Sequence, residues 1–104
     1  MPEMNPTKNW AYVDFYYADI HLPEVSGVYA VFAARRGRDV CVYVGQAKNL
    51  RDRWKAHNKA LACLREGAEF IRYYPVNEEH LNEQEIYYIK HFEPCLNSKH
   101  LGRT

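Results

Sequence analysis

The centre of this chain is set by two apolar runs held apart by five residues, four of them charged. Val28–Ala34 (VYAVFAA) is β-branched, aromatic and uninterrupted by charge, which predicts a strand buried on both faces. Arg35-Arg-Gly-Arg-Asp39 reads as a turn, and Val40–Val44 (VCVYV) as a second strand stopped by Gly45. Residues 28–44 are therefore expected to form an antiparallel hairpin, entered through a turn signal at Pro23–Gly27.

The period then changes. Leu50, Trp54, His57, Leu61 and Leu64 recur at helical spacing, with Asn49 as N-cap and Gly67 as the stop. Phe70–Val76 (FIRYYPV) predicts a third strand, with Pro75 placing it at an edge or ending it. A second helix is expected from Asn77 to about His91, its apolar side carrying Leu81, Tyr88, Ile89 and Phe92, and Pro94 ending it. Trp10–Leu22 mixes aromatics with isolated acids and reads as extended or irregular structure, after a loose tail over residues 1–9. The order β-β-α-β-α implies one small mixed sheet with helices against it.

At 104 residues and 47% hydrophobic content, the chain is sized for one domain with one core. Fourteen Lys and Arg against thirteen Asp and Glu exclude attachment to nucleic acid by bulk charge, so any polyanion site must be local. Cys41, Cys63 and Cys95 fall in no zinc-ligand spacing and are odd in number, which predicts a reducing, cytoplasmic setting. No apolar run has the length of a signal or membrane segment. Nine tyrosines are the unusual feature, and a tyrosine brings both packing area and a hydroxyl.

Ionisable residues interrupt the helical stripes. On a helical wheel Glu85 falls about 40° from Leu81 and about 20° from Phe92, in the middle of the stripe, whereas Glu83 points away. A carboxylate there needs a salt bridge, a metal or hydrogen-bond donors. In the first helix His57 lies within the apolar stripe and Arg53 at its border. One inward His is ordinarily a core residue, but an Arg, a His and a Glu directed inward from two helices suit a phosphate- and metal-binding site. Tyr29 and Tyr43 sit one on each strand of the hairpin, with Gly27 before the first and Gly45 after the second. Taken alone, each reads more readily as a core tyrosine.

Gly27-Val-Tyr29, Tyr43-Val-Gly45, the run Gln46-Ala-Lys-Asn-Leu-Arg-Asp-Arg53-Trp-Lys-Ala-His57, then Glu85 and Asn97 resemble, in that order, the GIY-YIG nuclease family. The likeness spans residues 27–97, with GVY and YVG in place of GIY and YIG, and thirteen residues separate the two tyrosines, a length assigned to the Arg35–Asp39 turn. It implies an α+β fold, a small three-stranded antiparallel sheet flanked by helices, over residues 23–100, leaving 1–22 as an N-terminal extension and 101–104 as a tail. It also implies metal-dependent hydrolysis of DNA phosphodiesters. Glu85 would be the sole protein ligand of a Mg²⁺ or Mn²⁺ ion, Tyr29 the general base or proton relay with its pKa lowered by positive charge, and His57 and Tyr43 its assistants. Arg53 would bind the scissile phosphate and Asn97 support the site by hydrogen bonding.

Gln46, Lys48, Asn49, Arg51, Lys55 and Lys59 gather around the first helix and are expected to contact the DNA backbone, with the Arg35-Arg36-Arg38 turn as a second candidate. Duplex DNA is the expected partner, branched and nicked forms included. Targeting would come from a partner protein or from a homodimer paired through an exposed Phe70–Val76 edge. The other reading is a module that keeps the fold and binds nucleic acid without turnover.

Overall fold

The structure is a computed structural model that describes residue 7 and residues 9–55 and 59–97. Among these residues, four strands form one antiparallel sheet in the order β1-β4-β2-β3: β1 (Ala11–Asp14), β2 (Gly27–Arg35), β3 (Arg38–Ala47) and β4 (Ala68–Pro75). The helices are α1 (Ala18–His21), α2 (Leu50–Lys55), α3 (Lys59–Arg65) and α4 (Leu81–Phe92).

Strand β2 is the axis of the fold, hydrogen-bonded on both sides and buried from Gly27 to Ala33, as its unbroken apolar run requires. Its alternate residues feed two separate cores. Tyr29, Val31 and Ala33 face one side, where Phe15, Ala18, Leu22, Leu50, Trp54 and Cys63 cover them. Val28, Ala30 and Phe32 face the other, under Trp10, Leu81 and Ile89. The β2–β3 hairpin closes through Arg36 and Gly37, both at positive φ (54° and 78°), the backbone a two-residue primed turn demands.

Four expectations change. The sheet has four strands among the described residues rather than three, because Ala11–Asp14 pairs with β4 through Val13 and Ile71. The segment before residue 23 is part of the core, with Trp10, Val13, Phe15, Ala18 and Leu22 all buried. With β1 on its outer side, β4 is interior, so the Phe70–Val76 edge invoked for dimer pairing is already occupied; Pro75 simply ends the strand. Finally, Leu61 and Leu64 are exposed (53% and 43%), and α3 buries Cys63 against the core instead. The phase set by Leu50 and Trp54 does not carry through to α3. The second helix is entered by a 3₁₀ turn at Glu78–His80 and ends at Glu93 in the left-handed conformation (φ 47°) directly before Pro94.

Candidate active site

One irregularity in the hairpin decides where its tyrosines point. Counted back from the turn, Ala33 pairs with Val40 and Phe32 with Cys41, but Val31 pairs with Tyr43, leaving Val42 as an extra residue in β3. An unbulged continuation would pair Tyr29 with Val44 and turn Tyr43 to the opposite face. The bulge shifts the register by one, so that Tyr29 faces Gly45, two residues from Tyr43, and both rings enter the same core. Their centroids lie 6.1 Å apart. The turn itself takes two residues; the odd residue between the tyrosines is absorbed at Val42, not at Arg35–Asp39.

Tyr29 is fully buried and walled by Trp54, edge-on at 5.9 Å, which is itself edge-on to Phe15 at 5.6 Å. Its hydroxyl end lies over the backbone of β3. A Cβ placed on Gly45 would sit 2.5 Å from both the hydroxyl oxygen and the ring carbon bearing it, so no side chain fits there. At Gly27 a Cβ would meet the Tyr74 carbonyl oxygen of β4 at 2.5 Å. Both motif glycines are thus explained by close approach.

Burial pushes the Tyr29 hydroxyl well above the usual tyrosine pKa, Tyr43, Cys63 and Glu85 push the same way, and only the Arg53 guanidinium opposes them. Tyr43 is also raised, by burial and then by Glu85, while Arg53 and a hydrogen bond with Tyr29 pull it down. Within the protein alone, burial outweighs the positive charge of Arg53 at Tyr29. The same influences show that Tyr29, Tyr43, Arg53 and Glu85 share one electrostatic neighbourhood.

Arg53 projects outward from α2 beside the buried Trp54, and among the described residues no side chain pairs with it. Glu85 is half-buried on α4 rather than enclosed in its stripe. Its Oε1 accepts a hydrogen bond from the Gln46 amide Nε2 (3.0 Å), which also donates to Asn82 Oδ1 (2.5 Å), and no described cation forms an ion pair with it. Gln46 therefore faces Glu85 from the end of β3. Asn82 was missed by sequence reasoning, although it stands three residues before Glu85, one turn along the same helix face. Asn97 is buried and bonds like an additional strand residue. Its Oδ1 accepts from the Val44 N–H (2.9 Å) and its Nδ2 donates to the Val44 carbonyl (3.1 Å) on the outer edge of β3, locking the backbone between Tyr43 and Gly45. His57 lies outside the described residues.

Of the expected DNA-contacting set, Lys48, Lys55 and Lys59 are exposed. Asn49 caps α2, its Oδ1 accepting from the Asp52 N–H (3.0 Å). Arg51 turns back to the Leu22 carbonyl (2.7 Å) and toward Glu24 (3.9 Å). In the basic turn, Arg35 is held by Glu66 at 2.7 Å.

These residues suit a hard divalent cation. Among the described residues no group of three or more His, Cys, Asp and Glu side chains converges. A half-buried carboxylate that lacks a cationic partner among them matches an ion that keeps most of its waters, as magnesium does, and not a closed zinc cage.

Comparison with known proteins agrees with this geometry. The family model of the GIY-YIG catalytic domain matches residues 25–99. A comparison with curated proteins gives no match. Among solved structures, the chain is similar to the GIY-YIG N-terminal endonuclease domain of UvrC from Thermotoga maritima. A tyrosine-to-phenylalanine point mutant of that domain, bound to its catalytic divalent cation, is 26% identical at a TM-score of 0.63, covering 78% of this chain and 91% of that one. The magnesium-bound form is 27% identical at a TM-score of 0.62, with 78% and 92% coverage. With the family model matching most of the chain and the tyrosine pair and the glycine beneath it standing on this sheet, the chain belongs to the GIY-YIG family and carries its nuclease domain.

Proposed function

We propose that this protein is a divalent-metal-dependent endonuclease that hydrolyses DNA phosphodiester bonds. The observation that carries the reading is the half-buried Glu85 carboxylate, positioned by Gln46 and close enough to Tyr29 and Tyr43 to raise both their pKa values. Glu85 would hold Mg²⁺ or Mn²⁺ through carboxylate oxygen, and the bound ion would supply Lewis-acid stabilisation of the leaving oxygen. Arg53, exposed beside the tyrosines, binds the scissile phosphate and stabilises the charge that builds on it.

The raised pKa of Tyr29 favours a relay over a standing base. Its neutral hydroxyl accepts the proton of the attacking water while handing its own to Tyr43, whose proton passes in turn to a neutral imidazole as terminal acceptor, the part proposed for His57, so no free phenolate is required. Asn97 keeps β3 in register under the pair, and Lys48, Lys55 and Lys59 contact the DNA backbone. Magnesium is the first metal to test, and the absence of disulfides among Cys41, Cys63 and Cys95 suits a reducing, cytoplasmic compartment. No helix among the described residues is long and apolar enough to cross a membrane.

The test is incubation with supercoiled plasmid and with nicked and branched duplexes in Mg²⁺, Mn²⁺ or chelator. Metal-dependent cutting supports the proposal; DNA binding without cutting under every condition would leave the non-catalytic module as the reading.

A further inference from the structure

A cavity lies on the face of the sheet that carries Val28 and Phe32, opposite the core that holds the tyrosine pair. Its volume is about 510 Å³, and its wall is an aromatic platform: Trp10 stacks on Tyr74 (5.6 Å, 17°) and meets Tyr88 edge-on (4.9 Å). Tyr74 remains half exposed, so one ring face is held flat by Trp10 while the other is open. Asn77, His80 and Gln84 line the remainder with amide and imidazole groups that both donate and accept. Among the described residues no Lys or Arg lines the cavity.

Its position ties it to the site. Gly27 pairs with Ala47 on one side and Pro75 on the other, so the start of β2, the Gln46 end of β3 and the Tyr74 end of β4 share one end of the sheet. Gln84, in the cavity wall, directly precedes Glu85 on α4. A flat aromatic face with a neutral polar fringe, next to a phosphodiester site, matches a nucleobase.

We propose that this cavity binds one unpaired base of the nucleic-acid substrate, stacked on Tyr74. The proposal rests on the endonuclease reading and refines its substrate class. A base within an intact duplex is stacked and paired and cannot enter, so DNA with a single-stranded, branched or distorted segment beside the cut is preferred.

The test measures binding of labelled short oligothymidylate and of a blunt duplex by fluorescence anisotropy, in the Glu85→Gln background so that cleavage does not interfere. Tyr74→Ala is expected to weaken single-strand binding at least about fivefold, the lower end of what one stacked base contributes. Tyr74→Phe, which keeps the ring, should bind as the parent does, and neither variant should change duplex affinity. Equal single-strand affinity in Tyr74→Ala and the parent overturns the proposal, as does a loss in Tyr74→Phe matching that in Tyr74→Ala. Cleavage of a branched duplex with a single-stranded segment, by protein that keeps Glu85, separates the two readings: cutting without Tyr74 dependence removes the base site alone, whereas Tyr74-dependent binding without cutting removes the endonuclease alone.

Discussion

Replacing Gly45 with alanine tests the packing on which the tyrosine pair depends. The new methyl carbon would sit 2.5 Å from the Tyr29 hydroxyl oxygen and from the ring carbon that bears it, more than 1 Å inside ordinary contact of about 3.5–4.0 Å. Neither partner has room to withdraw. Tyr29 is 1% exposed and bounded by Trp54, while the backbone flanking Gly45 is pinned through Val44 to Asn97. Overpacking of this kind costs about 1–3 kcal/mol, and the rigid surroundings place this case near the upper figure. If the ring yields instead, the hydroxyl moves by about 1 Å, enough to lower catalysis about a hundredfold. The assay is a double-mutant cycle in urea: Gly45→Ala, Tyr29→Ala and the double variant. Removing the Tyr29 ring removes the clash, so most of the Gly45→Ala cost should vanish in the Tyr29→Ala background. A cost below about 0.5 kcal/mol in the parent, or an equal cost in both backgrounds, would refute the reasoning.

Asn97→Ala strips both hydrogen bonds from a buried edge-strand residue, and is expected to cost about 2–4 kcal/mol and lower the Tm by at least about 8 °C; a melting curve within a few degrees of the parent would contradict it. Arg53→Ala should slow cleavage at least about a hundredfold while leaving stability within about 0.5 kcal/mol, since among the described residues no side chain pairs with Arg53; a large stability loss would instead make it a structural residue. Burial raises the Cys41 and Cys63 thiols to about 12, from a value near 9 when unfolded, so their contribution is complete below about pH 9 and is lost as pH rises toward 12. At about pH 10 each should cost about 1.4 kcal/mol, with Tyr29 adding to the loss at higher pH; urea stability that stays flat across this range would sink that account.

The parts legible in the sequence were those carried by one element at a time. The apolar runs at Val28–Ala34 and Val40–Val44 read directly as a hairpin, Asn49 as a helix cap, and Glu85 as a carboxylate on a helix face that packs against the sheet. What escaped depends on pairing. The bulge at Val42 leaves no mark on alternation within β3, yet it alone brings Tyr43 to the side of Tyr29. Strand β1 has four residues, of which only Val13 is fully buried, too short to show a period. It moves β4 from the edge to the interior. Gln46 sits next to a basic helix in sequence and reads as one of its polar residues, but in space it serves Glu85 on α4. The desolvation of Tyr29 cannot be read from the hairpin alone, because it is set by Trp54 of α2 and Gly45 of β3 packing around the ring.

The central claim is that Glu85 holds the catalytic cation. The most direct measurement is the single-turnover rate of phosphodiester cleavage by Glu85→Gln in saturating Mg²⁺, beside the parent protein. The substitution preserves size and can still accept the hydrogen bond from Gln46, so the fold is expected to survive. The account predicts a loss of at least about a thousandfold, several kcal/mol of transition-state stabilisation. Cleavage at the parent rate would contradict it.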